Sequence, residues 1–258
     1  MSQKIISDNH KWIVDKFSTL IQKFNIENKS VTIFSLIENE ILKHTDIGGE
    51  IFKELELLNF EYKELFGEFT DMFGTYFEGK SLLDDGKGQI LTPYQIVDYM
   101  CKSTIELTLK ISDTEVDKEQ TDEDKQEKFK FKTILDPACG TGRFMLGVAK
   151  WYHQNYGMYN FLMYNIDIDI NMVYCCLMNA LLYNIPAFII HGNALIPENI
   201  WSVWVSIPQN GFQHAHFCVT SPEIVKPMLN PKIETIKQEK RTLFDFVKEN
   251  GGAGDSGN

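Results

Sequence analysis

The sequence predicts an α/β domain built on a parallel sheet, preceded by a helical subdomain. Three observations predict it. From Lys132 onward, short apolar stretches alternate with amphipathic stretches of helical period. Before residue 86 the apolar residues recur instead at intervals of three and four. The first apolar stretch, TILD, runs directly into a turn containing Gly140 and Gly142, a strand-to-helix junction.

In HKWIVDKFSTLIQKF, the residues Trp12, Ile13, Phe17, Leu20, Ile21 and Phe24 share one helical face. VTIFSLIENEILKH continues the theme, and IFKELELLNFEYKELFGEFTDMFGTYF is rich in Leu and Phe with acids between them. Residues 1–85 are therefore expected to form the helical subdomain. Asp85-Gly86-Lys87-Gly88 is a turn. In QILTPYQIVDYMCKSTIEL, Pro93 stands where a first helical turn tolerates proline, and Thr92 is suited to cap it. Residues 112–132 hold eight acids and five lysines, which predicts a charged, mobile insertion. TILD is then a buried strand and RFMLGVAKWYHQ a helix with Phe144, Val148 and Trp151 available to pack. NFLMYNID is a second strand, INMVYCCLMNALLYN a second helix, AFIIHG a third strand and HFCVT a fourth. IWSVWVSIP reads equally as a strand or a buried loop. This α/β domain spans residues 86–235, and residues 236–258 supply one helix and a glycine-rich flexible tail.

Composition narrows the function classes. Of 258 residues, 43% are hydrophobic, an ordinary share for a soluble domain. No run nears the roughly 18 apolar residues of a membrane span, and MSQKIISDNHKW lacks the apolar core of a secretory signal, so a cytoplasmic place with no membrane contact is expected. Cys101, Cys139, Cys175, Cys176 and Cys218 have no metal spacing and read as reduced thiols. His214 and His216 alternate without a carboxylate or cysteine partner, so no metal is expected. The net charge of −11 argues against a chain that grips nucleic acid unaided.

The turn after TILD carries the chemistry. A dinucleotide loop has a third glycine and no preceding acid; here the pattern is DPACGTGRF, and Asp136 would repel a pyrophosphate. An acid there suits an ammonium group. Asp167, ending the second strand, is placed to accept from ribose hydroxyls. An amino acid joined to a nucleoside satisfies both, and S-adenosylmethionine is that molecule. Both acids also have a plainer reading as turn residues. Asp169 reads as a charge at a helix N-terminus, and Asn179 as a packing or capping residue.

Leu91 to Leu195 resembles the cofactor half of amino-type DNA methyltransferases, particularly the adenine methylases of type I restriction–modification systems. The family's DPACGTG stands letter for letter at Asp136–Gly142, and its threonine-proline phrase is matched by GQILTP, Gly88 to Pro93. Its second acidic motif is matched by NIDIDINMVYCCLMNALLYNI, and its HGD(S)L phrase by His191 to Leu195. The resemblance implies a Rossmann-like class I S-adenosylmethionine-dependent methyltransferase sheet. It implies that Thr92 and Pro93 lie over the methionine part of the cofactor and that Asp136 holds its ammonium. Ala138, Gly140 and Gly142 would form the loop beneath, Asp167 would bind the ribose, and Ile168 would pack on the adenine. Asn193 stands where the family has Asp; its oxygen can still accept from the adenine amino group.

The family transfers methyl to the 6-amino group of a flipped adenine in DNA. An Asn-Pro-Pro-aromatic loop after the fourth strand accepts from that amino group and stacks on the base. The corresponding residues here are Thr220, Ser221, Pro222 and Glu223, which retain one proline and lack both amide and ring. Partial loss of such electrostatic help costs roughly 100-fold in rate, and loss of the stacking platform about 1–3 kcal/mol. Asn230-Pro231-Lys232 is a competing register without a preceding strand. Only some 35 residues follow the loop, fewer than three further strands and a target-recognition region require. Two readings follow. The chain is a DNA adenine methyltransferase, or its cofactor-binding piece, acting on DNA with a protein partner in a restriction–modification or related complex; alternatively, it is a catalytically inactive relative that binds cofactor or partner.

Overall fold

The computed structural model describes residues 2–24, 36–38, 49–80, 82–83, 89–114, 132–196, 198–210 and 215–229. The expected turn at 85–88, most of the charged insertion, Asn230-Pro231-Lys232 and the C-terminal helix and tail lie outside them; so does VTIFSLIENEILKH apart from 36–38. Residues Met1–Pro222 form one compact unit and Glu223–Asn258 a second.

In the first unit, β1 (Lys132–Asp136), β2 (Phe161–Asp167), β3 (Ala187–Gly192), β4 (Ile200–Ile207) and β5 (His216–Thr220) form one sheet in that order. The first three run parallel, joined by α5 (Arg143–Tyr156) and α6 (Ile170–Leu182). Both crossovers step the same way across the sheet, so right-handed connection puts both helices on one face. β4 and β5 are antiparallel to their neighbours. The cause lies in the connections: residues 193–199 and 208–215 are too short for a crossover, which needs a dozen or more residues. The stretch left open between strand and loop is thus a strand, HFCVT is the fifth strand rather than the fourth, and the sheet is parallel only from β1 to β3.

Both faces of the central strands are buried. On the helix-covered face Phe161, Met163, Ile189 and Trp204 join the core; on the other, Tyr164, Phe188, Ile190, Val203 and Val205 are buried, with Tyr164 and Phe188 stacked at 4.9 Å between ring centroids. β1 is the exception. Thr133 and Leu135 are exposed, as suits a strand at the end of the sheet order.

The N-terminal residues form α1 (Ser2–Phe24), α2 (Glu50–Phe66) and α3 (Met72–Lys80), followed by α4 (Tyr94–Thr114). Phe17 of α1 is fully buried against Phe73 and Tyr76 of α3 at 5.7 and 4.9 Å. Trp12 meets Tyr62 and Phe66 of α2, each at 5.8 Å. These helices share one continuous core with the sheet and α5 and α6. α4 starts just past Pro93, whose carbonyl accepts from the N–H of Ile96 and Val97 at 2.9 and 3.0 Å.

Candidate functional site

At the carboxyl ends of β1 and β2 the chain must turn sharply into helices, and side chains there are already bonded to the turning backbone. The residue after β1 leads into a loop in which Gly140 and Gly142 both take positive φ, +53° and +87°. A Cβ at Gly142 would sit 2.8 Å from Cys176 Sγ, so α6 packs against the loop where only hydrogen fits. Gly140 N–H donates to Asp167 Oδ2 at 2.8 Å, Asp169 N–H donates to Asp167 Oδ1 at 2.9 Å, and Ala138 N–H donates to Asp136 Oδ1 at 3.3 Å. Cys139 N–H donates to the Ile166 carbonyl at 2.9 Å. The glycine loop is thereby strapped to the end of β2, and both acids face one neighbourhood.

Asp136, Ala138, Cys139, Gly140, Arg143 and Phe144 form one wall of a cavity of about 130 Å³, and Ile90, Leu91, Thr92 and Met100 form the other. Burial, with Asp167 adding to it, pushes the Asp136 carboxyl up to about 6 despite the Ala138 hydrogen bond. Burial also raises Asp167, against the N–H donors of Asp169 and Gly140. Two acids that resist ionisation side by side favour a cationic ligand.

Exposed apolar side chains stand just after β2 and β3. Ile168, just after β2, is 62% exposed, and Leu195, in the turn after β3, is 92% exposed. Asn193 begins that turn. Its Oδ1 accepts from Leu195 N–H at 3.0 Å, and its carbonyl accepts from Ile196 N–H at 2.9 Å. His191 Nε2 lies 3.2 Å from the Ile168 carbonyl, with its ring 4.6 Å from that of Trp201. Burial lowers the His191 pKa, so the ring is neutral at pH 7 and donates to that carbonyl.

Asp169 caps α6: its Oδ1 accepts from Asn171 N–H at 2.9 Å and its Oδ2 from Gln89 Nε2 at 2.9 Å. Asp169→Ala is expected to cost about 1 kcal/mol for the cap, and urea denaturation at neutral pH checks it; an unchanged midpoint rules the cap out.

One group of residues was missed from the sequence. Asp71, between α2 and α3, is fully buried and accepts from four donors. Gly74 N–H and Asn179 Nδ2 reach Oδ1 at 2.9 and 3.0 Å; Thr141 Oγ1 and Arg143 Nε reach Oδ2 at 2.5 and 3.3 Å. Arg143, 4% exposed, donates through Nη1 and Nη2 to the two oxygens of Glu78 at 3.1 Å each and to the Thr92 carbonyl at 3.2 Å, and lies over the Tyr94 ring. Burial opposes its charge, but Asp71, Tyr94 and Glu78 outweigh burial. The one sequence signal was an arginine where the first turn of an amphipathic helix should begin. Asn179 also donates to the Thr141 carbonyl at 2.8 Å, in keeping with its reading as a packing residue.

The structure does not bring the Thr220 segment to this cavity. Asp136, Asn165, Ile189, Trp204 and Val219 lie on one line across the sheet. Val219 is four strand spacings from Asp136, about 19 Å at roughly 4.8 Å each, and Thr220, Ser221 and Pro222 follow it. In the second unit Glu223 pairs with Lys226 at 2.6 Å, within the turn Pro222–Ile224 and the short α7 (Lys226–Leu229).

The model of a family described as N-6 DNA methylase matches residues 63–223, more than half of the sequence. The chain belongs to that family. S-adenosylmethionine is the cofactor expected of the family, and the glycine loop, both acids and the cavity all fall inside the match. No curated protein matches the chain. A crystal structure described as a class I S-adenosylmethionine-dependent methyltransferase from Listeria monocytogenes is similar at 17% identity with a TM-score of 0.28. The likeness covers 69% of this chain and 50% of that one, so the chain spans about half its length. Among the described residues, no helix is long and apolar enough to cross a membrane, and no group of three or more His, Cys, Asp or Glu is arranged to hold a metal ion.

Proposed function

We propose that this chain holds S-adenosylmethionine at the carboxyl ends of β1 and β2 and serves methyl transfer to the 6-amino group of adenine in DNA, within a restriction–modification or related complex. The observation that carries the reading is the Gly140 N–H bond to Asp167, which sets both acids on one glycine loop beside a cavity. The donor set fits the cofactor. The cavity of about 130 Å³ is the size of an amino-acid end rather than the roughly 300–1,000 Å³ of a whole-ligand site. The nucleoside end then lies over Ile168 and Leu195, whose exposed apolar surfaces a purine would cover.

In this reading Asp136 accepts from the ammonium, with Thr92 and Pro93 over the methionine chain and Ala138, Gly140 and Gly142 beneath it. Asp167, with three backbone donors, keeps remaining acceptor capacity for the ribose hydroxyls. Ile168 packs on the adenine, and Asn193 offers its second lone pair to the adenine amino group. Bound S-adenosylmethionine supplies an electrophilic methyl on a sulfonium sulfur. The residues of this chain orient that methyl and hold the counter-charge; the groups that localise the lone pair of the acceptor nitrogen come from a partner. The acidity of the chain, −11 overall, likewise favours a partner that contacts DNA.

A second reading, a methyltransferase-like protein that binds cofactor or partner without catalysis, is favoured by the separation of about 19 Å between Asp136 and the end of β5.

One pair of measurements tests both. Calorimetric titration with S-adenosylmethionine is expected to show binding at pH 7.5 that weakens about tenfold at pH 5, as protonation of Asp136 removes the partner of the ammonium. Incubation of the chain, purified together with the partner from its native source, with methyl-labelled cofactor and duplex DNA then separates the readings. Label in adenine supports the enzyme, binding without transfer supports the second reading, and absence of binding rejects the enzyme and the cofactor-binding form of the second reading.

A further inference from the structure

The walls of the cavity come from segments some fifty residues apart, Ile90–Thr92 and Asp136–Phe144, and no backbone hydrogen bond between them is recorded among the described residues. Leu91 packs beside Gly140, and the hydrogen bond that joins the two walls is made by Arg143. Its Nη1 holds the Thr92 carbonyl at 3.2 Å while its backbone begins α5 directly after the glycine loop. The guanidinium does not choose that position alone. Its fork is gripped by Glu78 at two points of 3.1 Å, its Nε by Asp71 at 3.3 Å, and its face by the Tyr94 ring, 4.5 Å from the centroid. Asp71 also fixes the loop itself, accepting from Thr141 Oγ1.

A carboxylate with no solvent exposure and four donors has one favourable position. A planar guanidinium held at both edges and on one face has little freedom left. So two residues of the helical layer, neither of which lines the cavity, fix the spacing of its walls. We infer that Asp71 and Glu78 are positioning residues for the ligand in this cavity, acting through Arg143 and Thr141, and that the helical layer and the ligand site are therefore coupled.

The inference rests on the proposed cofactor reading, and it goes beyond it: it predicts that affinity is set partly by groups that never touch the ligand. Glu78 is the residue to vary, because its side chain is 31% exposed and its loss leaves no deeply buried charge unpaired while Asp71 remains.

Titration with S-adenosylhomocysteine, the demethylated cofactor, is the readout, beside the melting temperature of the ligand-free chain. Glu78→Gln keeps one acceptor and loses the charge. It is expected to weaken binding three- to tenfold while moving the melting temperature by only a few degrees. Arg143→Lys, which keeps a charge but loses the fork, is expected to weaken binding tenfold or more. In the Arg143→Lys background Glu78→Gln is expected to add little, because the two act through one contact. Hydrogen exchange in residues 72–80 is expected to slow when ligand is added. Glu78→Gln binding as the unsubstituted chain does, while Asp136→Ala loses binding, overturns the positioning role and leaves the cofactor reading standing. Failure of the unsubstituted chain to bind overturns both.

Discussion

Asp136→Asn is expected to abolish measurable S-adenosylmethionine binding and, in the same protein, to raise the melting temperature of the ligand-free chain. The two effects have one source. Burial holds the Asp136 carboxyl near pH 6 in the fold, about two units above its ordinary range. The folded state therefore keeps a proton between roughly pH 4 and 6 that the unfolded chain has released. By linkage, stability falls as pH rises across that window, and the full cost is present at pH 7. Allowing for solvent screening at this partly accessible site, the cost is on the order of 1–2 kcal/mol. An amide carries no such cost, so differential scanning at pH 7.5 should show a gain of a few degrees for a chain of this size. At pH 4.5 the gain should shrink toward zero. The same amide offers a cationic ammonium an uncharged oxygen in place of a carboxylate, and the calorimetric signal should vanish. A variant that is neither more stable nor defective in binding would mean that Asp136 does not face the ligand.

Asp71→Ala is expected to destabilise the fold strongly. It leaves Arg143 at 4% exposure with Glu78 as its remaining carboxylate, and it strips acceptors from Gly74 N–H, Thr141 and Asn179. Removing one partner of a buried charged pair costs about 3–5 kcal/mol, a large fraction of the roughly 5–15 kcal/mol that holds a domain together. Urea titration followed by circular dichroism measures it, and a loss below about 1 kcal/mol would show that the carboxylate is not holding the arginine.

The sequence made some of this legible and hid the rest for physical reasons. α5 was readable because Phe144, Val148 and Trp151 repeat at helical spacing, and β3 was read to the residue because AFIIHG is bounded by Pro186 and by the turn at Asn193. The glycine loop was readable because a strand, an acid and two positive-φ glycines are a local pattern. β4 was not, since Val203, Trp204 and Val205 are all buried and erase the alternation that marks a strand with one wet face. Nor was the strand order, which depends on which connections are long enough to cross over. The contact of Asp71 with Arg143 joins positions 72 residues apart, and no periodicity encodes such a pair.

Each strand of this sheet is bonded to the strand before it in the chain, so every pairing closes a short stretch of polypeptide. Chain-closure entropy grows with the length enclosed, and this arrangement keeps that penalty small. Asp71 is the opposite case: its carboxylate has no full set of donors until the chain has been made as far as Asn179, 108 residues later. In the order of synthesis the carboxylate can tie β1, β2 and α6 to the preceding helices before β3, β4 and β5 are added.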